Sequence, residues 1–146
     1  AKVIENIVAD ANFEARAHDK SVEILKNDEV IISGSEGLLK RAIENVVRNA
    51  VRYTAAETSV EVSLVKSGPE GIITIRDHGA GVPQEELEKL FKPFYRVQEA
   101  RDRKSGGVGL GLAIAEQAIS THKGKISAKN LEKGLSVEIT LPLAEN

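Results

Sequence analysis

An α+β sandwich, with helices on one face of a mixed sheet, is the fold class that this sequence predicts. Three observations carry the prediction. Apolar residues recur at helical spacing in two segments, 3–11 and 38–51, and Leu110–Ile119 is a third run of helix formers. Six shorter segments alternate or run apolar between turn residues, and they pair as three hairpins. Helix and hairpin follow one another along the chain, which layers helices against a sheet. At 146 residues the chain is one domain, residues 1–146, large enough to bury a core. Aromatic residues make up only 3% of it, so Val, Ile, Leu and Ala must fill that core.

The first helix sets Val3, Ile4, Ile7, Val8 and Ala11 against Glu5, Asn6 and Asp10, and is expected to end near Ala17. Ser21–Leu25 reads as a strand, Asn27-Asp28 as a turn, and Glu29–Ser33 as the returning strand of a hairpin. Ser35 is placed to cap the second helix, with Glu36 in its first turn. Leu38, Leu39, Ala42, Ile43, Val46, Val47, Ala50 and Val51 then trace its apolar face. Val60, Val62 and Leu64 alternate with Glu61 and Ser63 in the strand Ser59–Lys66. Ile72–Arg76 returns after the turn Ser67–Gly71 and delivers Asp77 at its end. Pro83, with Glu85 and Glu86 behind it, opens a short helix. Gln98–Ser105 has no periodicity and reads as a mobile lid. Lys125–Ala128 and Leu135–Leu141 make the last hairpin around Lys133-Gly134.

Composition removes several function classes. A net charge of −2, with both signs interspersed, argues against a nucleic-acid partner. The absence of cysteine excludes disulfides, thiol catalysis and cysteine metal sites. No apolar run has membrane-spanning length and no signal-peptide pattern occurs, so the chain itself is expected to be soluble. With Ala1 at the start and no methionine anywhere, it reads as a piece of a longer protein.

The chemistry concentrates in two glycine runs and one helix flank. Asp77-His78-Gly79-Ala80-Gly81 and Gly106-Gly107-Val108-Gly109-Leu110-Gly111-Leu112 let backbone N–H groups approach an anion closely. The second run opens a helix, whose N-terminal donors suit phosphate. A carboxylate at Asp77 does not suit phosphate, but it can accept a hydrogen bond from the amino group of a purine base. Either run alone is more often a plain turn. Asn45, Asn49 and Arg52 stand at i, i+4 and i+7 on one stripe of the second helix. They are solvated surface on one reading. On another, their neutral oxygens line a polar pocket where one ligates a hard cation such as Mg²⁺. Glu44 lies about 100° around the helix from Asn45 and does not share that stripe.

Taken together, four stretches resemble the boxes of one family. Leu38–Tyr53 is similar to its N box, Asp77–Gly81 to its G1 box, Phe91–Arg96 to its F box and Gly106–Leu112 to its G2 box. The chain therefore resembles the catalytic ATP-binding domain of sensor histidine kinases, a Bergerat fold shared with DNA gyrase B, Hsp90 and MutL. Within that family Phe94-Tyr95-Arg96-Val97 and Ala100-Arg101-Asp102-Arg103 look most like the Cpx-type envelope-stress kinases. The resemblance implies transfer of the γ-phosphate of Mg-ATP to a histidine on a dimerisation domain, with a response regulator downstream. It implies a cytoplasmic domain of a membrane-anchored sensor.

By residue, the resemblance implies Asn49 as the Mg²⁺ ligand and Asn45 near the same metal and phosphates. It implies Arg52 at phosphate, Tyr53 near the nucleoside, and Asp77 at the adenine amino group with Gly79 and Gly81 admitting the base. Arg96 would neutralise the γ-phosphate, and Gly107, Gly109, Leu110 and Gly111 would form the lid hinge and phosphate-facing helix start. Val82, Phe94, Val108 and Leu112 complete the nucleotide contacts. Val108 departs from the family, in which threonine is common there. None of His18, His78 and His122 has the acceptor setting of the family, so the nucleophile is expected elsewhere. A stand-alone ATPase or serine kinase is one rival reading. Hydrolytic relatives carry a glutamate base where Asn45 stands. A nucleotide-binding module without catalysis is the other.

Overall fold

The computed structural model describes residues 2–79, 87, 111–131 and 134–144. Alternation in sequence becomes sheet: a five-stranded mixed sheet in the order β1-β2-β3-β5-β4. Its strands are β1 (Ser21–Asn27), β2 (Ser59–Ser67), β3 (Glu70–Arg76), β4 (Lys125–Asn130) and β5 (Leu135–Pro142). In β2 the inward residues Val60, Val62 and Leu64 are buried, and β3 and β5 match them with Ile73, Ile75, Val137, Ile139 and Leu141. The period of two thus gives the sheet one apolar face, and the helices α1 (Lys2–Arg16), α2 (Glu36–Tyr53) and α3 (Gly111–Thr121) cover it. Fully burying each Val, Ile or Leu of this layer contributes about 1.5–3 kcal/mol.

Two of the expected hairpins are present. β2 pairs antiparallel with β3, and β4 with β5. The first is not. β1 pairs in parallel with β2, and Glu29–Ser33 forms no strand. The reason lies at Asp28. Its N–H donates to the Leu64 carbonyl at 2.8 Å and its carboxylate accepts from the Lys66 N–H at 2.8 Å. Asp28 thus prolongs the contact with β2 instead of reversing the chain. Val30 and Ile32 then pack against the core from a segment without regular structure, which explains their strand-like alternation.

α2 follows its sequence signals closely. Ser35 caps it, its side chain accepting from the Leu38 N–H. Leu39, Ala42, Ile43, Val46, Val47 and Ala50 are buried, as the apolar spacing requires. Val51 is half-buried, and Leu38 is exposed at 50%. It lies seven residues before Asn45, two turns away on the same stripe, and so falls outside the core face. No helix among the described residues is long and apolar enough to cross a membrane.

Candidate functional site

The end of β3 carries the most unusual side chain among the described residues. Among the described residues only Thr54 and Asp77 are buried and polar, at 2% and 4% exposure. Asp77 Oδ1 accepts two backbone hydrogen bonds, from Gly79 at 2.9 Å and from Leu135 at 3.1 Å. Its own N–H donates to the Leu135 carbonyl at 3.0 Å, so the start of β5 holds both its backbone and its side chain. Burial pushes the Asp77 carboxyl above its ordinary value, and the two N–H donors and neighbouring His78 pull it only part of the way back. The structure therefore keeps a carboxylate where its charge is disfavoured. A buried carboxyl so placed is a candidate for a functional role.

The turn that carries Asp77 is wedged from both sides. A Cβ on Gly79 would fall onto the Tyr53 carbonyl oxygen and lie 2.9 Å from its carbon. Gly134 has φ +108°, and a Cβ there would lie 2.8 Å from the Asp77 carbonyl carbon. Glycine is required at both places because backbone, not a flexible side chain, occupies the space. His78 is held between them. Its N–H donates to Thr54 Oγ1 at 2.9 Å, and its Nδ1–H donates to the Ser59 carbonyl at 2.7 Å. At the end of α2, Lys20 Nζ reaches the Val51 and Arg52 carbonyls at 2.9 and 3.2 Å, as a cation at a helix C-terminus should. Burial lowers the Lys20 ammonium from its usual range.

The second group of residues stands on α2, whose last residue, Tyr53, has its carbonyl against Gly79 of the Asp77 turn. Asn45, Asn49 and Tyr53 are half-buried and Arg52 is exposed. Glu44 faces elsewhere: with Arg48 it lines a shallow depression against Ile7, Asp10, Ala11 and Glu14 of α1. α1 lies on the Glu44–Arg48 flank of α2, and α3 packs against α2 as well. The Ser35 N–H donates to His122 Nε2 at 3.0 Å, which fixes the C-terminal end of α3 at the N-terminus of α2. α3 therefore runs antiparallel to α2. Its 11 residues reach back about 16 Å at 1.5 Å per residue, to the level of Asn45 and Asn49. Leu112 is buried in the core and no acidic side chain occupies the first turn of α3.

Gly81, Val82, Phe94, Arg96, Gly107, Val108, Gly109 and Leu110 lie outside the described residues, as do the helix expected at Pro83 and the lid expected at 98–105. Of the three histidines, His18 is exposed, while His78 and His122 are engaged through their rings in structural hydrogen bonds. Sequence reasoning missed Thr54, Thr58, Lys20, Gly134 and Leu135, all of which brace the Asp77 turn or the end of α2. Only Thr54 had a local signal, as a hydroxyl residue directly after Tyr53 at a helix end.

The donor set on α2 suits a hard cation only in part. Two amide oxygens are neutral, and among the described residues no group of three His, Asp or Glu could hold a metal alone. Such a set fits a Mg²⁺ that takes most of its ligands from phosphate and water.

Comparison with known proteins gives the family of the chain. Residues 34–145 match the family described as "Histidine kinase-, DNA gyrase B-, and HSP90-like ATPase". The sensor histidine kinase CpxA of Escherichia coli (strain K12) is 42% identical over 139 residues, covering 94% of this chain and 30% of that protein. The sensor histidine kinase WalK of Bacillus subtilis (strain 168) is 34% identical over 131 residues, covering 88% of this chain and 21% of its own. The chain thus spans less than a third of the length of these curated relatives. Among solved structures, the mycobacterial sensor histidine kinase MprB superposes with a TM-score of 0.83 at 26% identity, covering 98% of this chain and 97% of that one. On its sequence and its mixed sheet, the chain belongs to the histidine kinase-, DNA gyrase B- and HSP90-like ATPase family, in the form found in sensor histidine kinases.

Proposed function

We propose that this chain binds Mg-ATP and transfers its γ-phosphate to a histidine on a separate dimerisation domain of the same sensor kinase. The observation that supports this reading most is the Asp77 turn. Both described hydrogen bonds to the carboxylate fall on Oδ1, which leaves Oδ2 to accept from the amino group of adenine. Asn45 and Asn49 would orient the phosphates, with Asn49 holding the metal, and Arg52 would meet phosphate from the exposed side. Bound Mg²⁺ supplies charge neutralisation on the phosphate oxygens. Arg96, Tyr53, Gly79, Gly81, Val82, Phe94 and the segment Gly107–Leu112 keep the nucleotide contacts that the resemblance implies.

In the transfer, a histidine ring nitrogen bonds the γ-phosphorus as its bond to the β,γ-bridging oxygen breaks, and ADP leaves. Positioning and charge neutralisation are most of what such a step asks of the protein. Hydrolysis asks for a base as well. Asn45 cannot take a proton, and Glu44 stands on the α1 flank. The isolated domain should therefore turn ATP over slowly. A response regulator would receive the phosphoryl group downstream, and the parent protein would be a membrane-anchored sensor with this domain in the cytoplasm.

The test is transfer to a partner. With γ-labelled ATP the chain alone should stay unlabelled. Added with its cognate dimerisation fragment, it should label only the fragment, as an acid-labile and alkali-stable phosphohistidine. Acid-stable label, or rapid ATP hydrolysis by the chain alone, would overturn the proposal.

A further inference from the structure

From the hydrogen bonds at the end of α2 we infer that Thr54 is a positioning residue for base recognition, acting through a hydroxyl relay on the Asp77 turn. The inference rests on the reading of Asp77 as the base acceptor. The relay has four groups and one direction. His78 N–H donates to Thr54 Oγ1 at 2.9 Å, Thr54 Oγ1 lies 2.7 Å from Thr58 Oγ1, and Thr58 Oγ1 donates to the Ala55 carbonyl. An amide N–H can only donate and a carbonyl can only accept. Each hydroxyl has one proton, so Thr54 must give its own to Thr58. Every donor in the chain is then used once, and each bond polarises the next.

The position of the relay matters as much as its direction. Thr54 and Asp77 are the only buried polar residues among those described, and one residue, His78, separates them in this network. The Ala55 N–H also donates to the His78 carbonyl, at 3.4 Å, and the His78 ring is held by Ser59. The peptide between Asp77 and Gly79 is thereby fixed to α2. The same two residues make the Gly79 N–H to Asp77 Oδ1 bond that turns the carboxylate. A helix end needs no buried hydroxyl to close, since the Thr54 N–H to Ala50 carbonyl bond already does that. The hydroxyl serves the turn beyond it.

The variants are Thr54→Val, which keeps the branched shape without the hydroxyl, and Thr54→Ser, which keeps the hydroxyl without the methyl. Binding of metal-free ATP and of GTP to the 146-residue chain is measured by calorimetry, alongside melting temperature. Thr54→Val should weaken ATP about tenfold while leaving GTP within about twofold, so the base preference shrinks. Thr54→Ser should restore the preference. In an Asp77→Asn background Thr54→Val should add little, because both act through the same carboxylate.

If Thr54→Val does not fold, Thr58→Val removes the far link and should narrow the preference in the same direction. An unchanged ATP-to-GTP ratio in the folded hydroxyl-free variant would overturn the inference. Loss in Thr54→Ser equal to that in Thr54→Val would do so too, since it would assign the effect to methyl packing. If Asp77→Asn itself leaves the preference intact, the reading of Asp77 fails first, and the inference with it.

Discussion

Replacing Asp77 by asparagine should separate what the residue does for the fold from what it does for a ligand. The amide keeps an oxygen in the place of Oδ1, where it can still accept from Gly79 and Leu135 at their present 2.9 and 3.1 Å. It replaces Oδ2 with an NH₂ group, which faces the amino group of adenine donor to donor. A hydrogen bond to a charged partner contributes about 1.5–3 kcal/mol, so ATP affinity should fall roughly 10- to 150-fold. The same NH₂ can donate to the 6-oxo group of guanine, so the GTP-to-ATP ratio should rise. Stability should move the other way. The folded carboxyl has its pKa raised, chiefly by burial, so its contribution is fully present below the unfolded value of 3.8 and is lost as pH rises through the folded value. Asparagine carries no such penalty. The variant should therefore gain on the wild type as pH rises from acid to neutral, and melt at the same temperature or higher at neutrality. Calorimetric titration with ATP and GTP, with thermal melts across that pH range, decides it. Undiminished ATP binding by Asp77→Asn would refute the role in base recognition. A lower melting temperature at neutral pH would refute the argument from burial.

Asn49→Ala should weaken ATP binding in the presence of magnesium far more than in its absence, and equal losses in both titrations would remove Asn49 from the metal site. Gly79→Ala forces a Cβ onto the Tyr53 carbonyl, an overpacking that costs about 1–3 kcal/mol. At about 2–4 °C per kcal/mol for a domain near this size, thermal melts should register a drop of several degrees. An unshifted melting curve would mean that the turn can move away from α2 freely.

The helices and the two antiparallel hairpins were legible because local patterns specify them. α2 announces itself through Ser35, six core positions at helical spacing and a polar end. The β1–β2 pairing was illegible because its determinants are distant. Asn27-Asp28 has the composition of a turn, and only the backbone of β2, some 36 residues on, shows that Asp28 binds there instead. The site divides in the same way. Asparagines one turn apart are odd for a helix, whereas Asp77 and Gly79 alone would pass for a turn and stand out only beside the second glycine run and the α2 stripe. The residues behind them do not. Gly134 meets Asp77 across the sheet and Lys20 meets the end of α2 from another turn, and neither has a neighbour in sequence that hints at it.

The bond between Ser35 and His122 has a mechanical consequence. His122 Nδ1–H donates to the Ala118 carbonyl at 2.7 Å, so Nε2 is left as a pure acceptor for Ser35 and the ring is neutral in this contact. It acts as a pin joining α3 to α2 at the end remote from Asn45 and Asn49. A rod held at one end errs most at the other. Over a lever of about 16 Å, a positional tolerance of about 0.5 Å at the far tip corresponds to roughly 2° of tilt. The imidazole thus works with the buried Leu112, Ala115 and Ile119 to aim the α3 N-terminus from one helix length away.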